Sequence, residues 1–138
     1  MSVTAVLLPV FVQVALTFGL LIWMGVLRID VVRSRTVRIR DIALGQSNWP
    51  KAVTQVQNSY KNQFELPVLF YVLTALALIT AHASVVLVAL SWLFVLSRLV
   101  HAAVHTTSNH VPRRFYAYNA GMAVLILMWL WFAASVIA

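Results

Sequence analysis

Residues 66–107 read LPVLFYVLTALALITAHASVVLVALSWLFVLSRLVHAAVHTT, two apolar runs joined at His82-Ala83, with Arg98 the one formal charge among them. Each run approaches the roughly 20 residues that a helix needs to cross a bilayer core. So short a connection forces the two helices to be antiparallel neighbours. Upstream, Val3 to Leu27 forms another long apolar run, interrupted only by Pro9 and Gln13. Downstream, a fourth run opens near Pro112, a proline at a helix start, and continues to the C-terminus. The expected architecture is an all-α membrane protein, a bundle of four transmembrane helices at about 3–27, 50–81, 84–107 and 112–137, in one domain of 138 residues.

Composition agrees. The chain is 62% hydrophobic and 9% charged, against roughly one-quarter charged in soluble domains, so the missing polar surface has to be lipid-facing. The net charge of +7 does not point to nucleic acid, because the basic residues punctuate apolar runs rather than decorate a polar scaffold. Cysteine is absent, which excludes disulfides, thiolate metal ligands and a cysteine nucleophile. Any thiol chemistry needs a thiol brought by a ligand. Met1 to Ala5 carries no basic n-region and the run behind it is longer than a signal h-region, so the first helix is expected to be retained.

Ser47-Asn48-Trp49-Pro50 is a helix-start signature, and no breaker stands between Lys51 and Leu66. A helix from Pro50 to Ala81 would be roughly 48 Å long against a core near 30 Å. Its first turns are expected to project beyond the hydrocarbon. The one extended connection is the arginine-rich stretch 28–49.

Four alternating spans sort all ten Lys and Arg and all three Asp and Glu residues to one membrane face. The positive-inside rule makes that face cytoplasmic and puts both termini on the other side, in the inner or plasma membrane if the source is bacterial. Arg33, Arg35, Arg38 and Arg40 read as topogenic or as contacts for anionic headgroups.

The helix ends carry a more specific pattern. Asn58, Asn62 and Glu65 share a face at i, i+4, i+7, with Lys61 four residues before Glu65; Arg98, His101 and His105 share another at i, i+3, i+7; Arg114 and Tyr118 follow at i, i+4. Three polar stripes thus meet at one depth. On one reading Glu65 simply neutralises Arg98 or Arg114 while the arginines snorkel. On the other, one carboxylate among several cations leaves surplus positive charge in a poorly solvated place, which an anionic ligand corrects. Arginine forks suit carboxylates, Glu65 an ammonium and asparagine a peptide unit, so a small peptide with carboxylates and one amine matches the set. His101 and His105 could pair on a metal, but no third ligand is evident. A small transporter would place its carboxylate nearer the midplane than Glu65. Trp23, Trp92, Trp129 and Trp131 read as interface or packing residues, Gln13 as a cross-helix hydrogen-bonding residue and Gly121 as a point of close helix approach.

The segment Asn58-Ser-Tyr-Lys61-Asn62-Gln-Phe-Glu65-Leu-Pro67 resembles the signature of the MAPEG family, the membrane-associated proteins in eicosanoid and glutathione metabolism. Arg98-x-x-His101-x-x-x-His105 followed by Arg114-x-x-x-Tyr118 resembles that family's second block in order and spacing, and the likeness is to a bacterial-type member. The resemblance implies a homotrimer in the membrane lipid with glutathione, as cosubstrate, between subunits near the cytoplasmic face and a lipophilic electrophile as the second substrate. It implies that Asn62 and Glu65 hold the glutathione backbone and amine, with Lys61 where the family often has arginine. Arg98 and His101 match an arginine and a polar ligand-binding position. Arg114 matches the arginine that stabilises the thiolate and Tyr118 a tyrosine of the same site, which makes these two the expected catalytic pair. Arg28 sits about where the family has a further glutathione contact, and His105 where it usually has tyrosine. Asn58 replaces an arginine and so removes a carboxylate clamp. The expected activity is glutathione transfer or glutathione-dependent peroxide reduction; the alternative is a non-catalytic four-helix protein that binds glutathione or lipid.

Overall fold

The computed structural model describes residues 1–138 and is entirely helical. Helix α1 spans Val3–Arg33, capped at its start by the Ser2 hydroxyl, which accepts from the Ala5 N–H at 3.2 Å. It continues past Leu27 because Arg28–Arg33 contains charge but no helix breaker, and charge alone does not end a helix. At about 1.5 Å per residue it is roughly 46 Å long, so its last turns stand clear of a core near 30 Å.

A single 3-10 turn at Ile39–Asp41 interrupts the connection to α2, Lys51–Lys61. The expected side-chain cap is not formed: Pro50 itself occupies the capping position, and the Asn48 amide instead donates to the Asp41 carbonyl at 2.5 Å. Nor does the helix run unbroken to Ala81. Residues Asn62–Phe64 form a 3-10 turn, Glu65 departs from helical geometry at φ −97°, ψ −105°, and α3 begins afresh at Leu66–Ile79. The cause is Pro67, whose ring lacks an N–H and collides with the carbonyl four residues earlier, so the kink falls just before it. α2 and α3 still make one stretch, Lys51–Ile79, long and apolar enough to cross a membrane.

Helix α4 is Val85–Thr106, capped by the Ser84 hydroxyl accepting from Leu87 N–H at 3.2 Å. Helix α5 is Val111–Ile137, with Pro112 in its first turn and the His110 ring accepting from Arg113 N–H at 3.4 Å. The α2–α3 stretch, α4 and α5 thus give, with α1, four candidate spans.

The core lies between α3, α4 and α5, where Phe70, Leu73, Phe94, Val95, Leu125 and Met128 pack together. Leu20 and Met24 of α1 meet Val56 of α2 and Ala102 of α4 in a second cluster. Helix α4 therefore touches both clusters and is the central element. Gly121 of α5 faces it so closely that a Cβ would stand 2.5 Å from the Ser97 hydroxyl. Between two wholly buried side chains there is one long-range hydrogen bond: the Gln13 amide donates to Gln63 Oε1 at 2.8 Å, and Gln63 Nε2 donates in turn to the Ser59 carbonyl at 2.9 Å.

Candidate functional site

Helix α4 turns its Arg98, His101 and His105 stripe inward, and all three are buried. Arg98 is 0% exposed. Its Nη2 makes a long contact of 3.5 Å with His101 Nδ1, and its guanidinium carbon lies 5.4 Å from the centre of the Tyr118 ring. Its Nε and Nη1 have no hydrogen-bond partner. Buried guanidinium N–H groups of this kind are costly unless something accepts from them.

The kink brings Asn62 and Glu65 to the same place, whereas Asn58, one turn earlier, lines a separate cavity, so the expected three-residue face is divided. Asn62 Nδ2 is 3.2 Å from His105 Nδ1, so with the amide as donor His105 offers Nδ1 as acceptor. Glu65, just beyond the 3-10 turn, accepts from the Tyr118 hydroxyl at 3.1 Å. The reading in which Glu65 closes an ion pair with Arg98 or Arg114 is therefore not realised; the one ion pair in the chain is Arg40 Nε to Asp41 Oδ1, at 3.7 Å.

From α5, Arg114 donates through Nη1 to Asn109 Oδ1 at 2.6 Å, which holds its guanidinium at the mouth of the cluster. The His101 ring packs 5.7 Å from Tyr118 and 5.4 Å from His105, centre to centre. Asn62, His101, Arg114 and Tyr118, with Val111 and Phe115, line a recess of about 190 Å³. Small-molecule pockets usually enclose about 300 Å³ or more, so one chain supplies a polar floor rather than a complete enclosure.

Seven of the nine sequence-predicted residues thus gather in one cluster: Asn62, Glu65, Arg98, His101, His105, Arg114 and Tyr118. Arg28 and Lys61 do not join it. They line a second cavity, of about 310 Å³, with Trp49, Gln57 and Asn58. There Arg28 donates to Gln57 Oε1 at 2.7 Å and stacks over the Trp49 ring at 4.9 Å. Lys61 and Asn62 are adjacent in sequence, and successive helical residues point about 100° apart, which is how one helix serves two cavities.

Sequence reasoning passed over Asn109, Gln57, Trp49 and Phe115. Phe115 carried a signal, standing three residues before Tyr118 on the same helical face. Asn109 and Gln57 carried none, since each acts through a partner brought by folding.

A cluster with one carboxylate, two guanidinium groups and unpartnered N–H donors, set at one end of a four-helix bundle, suits a small anionic ligand. No curated protein and no solved structure matches the chain. Residues 6–134 match the MAPEG family. That match spans nearly the whole chain, and with four helices able to cross a membrane it gives the protein its class: the chain belongs to the MAPEG family and is an integral, multi-pass membrane protein.

Proposed function

We propose that the protein is a membrane-bound glutathione-dependent transferase or peroxidase for lipophilic electrophiles, working as a homotrimer with glutathione between subunits near the cytoplasmic face. Family membership suggests glutathione chemistry, and Arg98 is the observation that carries the reading: a wholly buried guanidinium with two unpartnered nitrogens. Such a group calls for an anionic acceptor, a ligand carboxylate or thiolate, once the recess beside it opens, since Arg98 does not line it in one chain; Glu65, whose only side-chain partner is the Tyr118 hydroxyl, keeps acceptor capacity for an amine. The small recess on one chain and the separate cavity of Arg28 and Lys61 suit a ligand that takes contacts from two copies. The exposed Glu65 carboxylate inside a membrane-crossing stretch likewise favours a protein neighbour over lipid. The positive-inside rule puts the charged end in the cytoplasm and both termini outside it.

Arg114 and Tyr118 take the catalytic roles. A guanidinium in a poorly solvated site favours a thiolate over the thiol, and the Asn109 contact orients the Arg114 group that does so. In transfer, the sulfur forms a bond to the electrophilic carbon as the bond to the leaving group breaks. In peroxide reduction, two glutathione molecules give one disulfide, and the hydroperoxide leaves as alcohol and water.

The test is glutathione-dependent turnover of an aryl halide or a lipid hydroperoxide by the purified protein, with Arg114→Ala as control. Wild-type activity no higher than the control would remove the proposed role. One observation favours the second reading, binding without turnover: the Asn62 amide is already engaged by His105, where the family usually has tyrosine. Calorimetric titration with glutathione separates the two, since binding without turnover selects the non-catalytic protein.

A further inference from the structure

We propose that the turn after α1 is a binding site for the phosphate headgroup of an anionic phospholipid, held by Arg35 and Arg38, independently of any glutathione chemistry. The helix ends in a compact cap. Ser34 N–H donates to the Asp30 carbonyl at 2.9 Å, Arg35 N–H to Val32 at 3.1 Å and Val37 N–H to Val31 at 3.2 Å, and the Val37 side chain is buried beneath them. Closing that cap puts Arg35 at φ 58°, the left-handed region where glycine is the unstrained choice. An arginine there is disfavoured by backbone sterics, and helix termination alone does not call for its side chain.

What the side chain does is visible in the surroundings. Arg35 and Arg38 line a cleft of about 400 Å³ with Val32, Val37 and Ile39, two cations against three aliphatic walls. Neither arginine has a carboxylate partner, because the single ion pair joins Arg40 to Asp41. Two acidic residues flank the pair in sequence: Asp41, three residues after Arg38 and paired with Arg40, and Asp30 on the last turn of α1, which lacks an ion-pair partner. The C-terminal end of a helix dipole and Asp30 both repel an anion, so attraction has to come from the arginines.

A free phosphate would use the two guanidinium groups but not the aliphatic walls. A phospholipid uses both. The cleft sits where α1 leaves the span; Ile39, one of its walls, is 68% exposed, and Leu44, five residues further along the same connection, is 88% exposed. Apolar side chains so placed among arginines match the boundary between headgroup and acyl chain.

The experiment is native mass spectrometry of the full-length protein released from mixed micelles containing phosphatidylglycerol and phosphatidylcholine. A guanidinium bonded directly to a phosphate contributes about tenfold, so Arg35→Gly/Arg38→Gln should weaken retention of the first phosphatidylglycerol roughly 100-fold. Arg33→Gln/Arg40→Gln removes the same charge outside the cleft, losing only the general attraction of an anionic surface at about fivefold or less per arginine, and should weaken it at most about 25-fold. Arg35→Gly alone should raise the melting temperature in uncharged detergent while lowering lipid retention, opposite signs that a purely structural arginine would not give. Equal losses in the two double variants would reduce the site to diffuse charge, unchanged retention would remove it, and displacement of the lipid by excess inorganic phosphate would overturn the lipid assignment.

Discussion

The Gln13–Gln63 link permits a prediction with a built-in asymmetry. Gln13 is 0% exposed and Gln63 is 1% exposed, and they face each other across α1 and the 3-10 turn that carries Asn62. In Gln13→Leu, Gln63 loses one partner but keeps its bond to the Ser59 carbonyl, and the unpartnered Gln13 Oε1 disappears with the side chain. In Gln63→Leu, Gln13 keeps its buried amide with no side-chain partner at all. Leaving a buried polar group unsatisfied costs about 1–3 kcal/mol, and interhelical bonds in membranes average about 0.6 and reach about 1.7 kcal/mol. Gln63→Leu should therefore destabilise by about 1–2 kcal/mol and Gln13→Leu by less than about 1 kcal/mol. The double variant, with both polar groups gone, should be more stable than Gln63→Leu alone. Equilibrium unfolding in mixed sodium dodecyl sulfate micelles reads all four corners of the cycle. Strictly additive losses, or a larger loss in Gln13→Leu, would mean that the two glutamines are not coupled in this way.

Gly121→Ala should cost about 1 kcal/mol or more by driving a methyl group into the Ser97 hydroxyl, and Ser97→Ala in the same background should restore the melting temperature. Arg98→Met removes a buried, incompletely partnered charge, so it should leave the ligand-free protein equally or more stable, by up to about 1–4 kcal/mol. On the proposed function, glutathione should raise the melting temperature of the wild type and leave that of Arg98→Met unchanged. Asn109→Ala releases the Arg114 guanidinium from its 2.6 Å bond; losing a bond to a charged group at about 1.5 kcal/mol, it should reduce kcat/KM for glutathione about tenfold in the aryl halide assay.

The four spans were legible because length and hydropathy set them, and the α4 stripe because i, i+3, i+7 spacing places Arg98, His101 and His105 on one face whatever else the fold does. The kink was not, since the residue responsible, Pro67, lies beyond the segment it breaks and acts backward on the turn before it. Helix α1 outran its expected end because Arg28–Arg33 has the charge of a loop but contains neither Gly nor Pro to stop a helix already under way. Gln63 was passed over because its partner lies 50 positions away, a separation at which helical periodicity carries no information. Glu65 is the instructive case. Charge counting on the sequence found one carboxylate among surplus cations, but only geometry shows that carboxylate bonded to Tyr118, which leaves Arg98 unneutralised. Within the cluster, the cation that burial leaves without an acceptor for two of its nitrogens is Arg98. Lys61 and Asn62 sharpen the consequence, because neighbouring positions open on different cavities. A ligand touching both on one copy would have to wrap around α2, whereas a ligand between two copies takes Asn62 from one and Lys61 from the other. If the proposed trimer binds glutathione between subunits, mixing subunits that carry Asn62→Ala with subunits that carry Lys61→Ala should restore binding at some of its interfaces. Binding no better than in either variant alone would confine the site to a single chain.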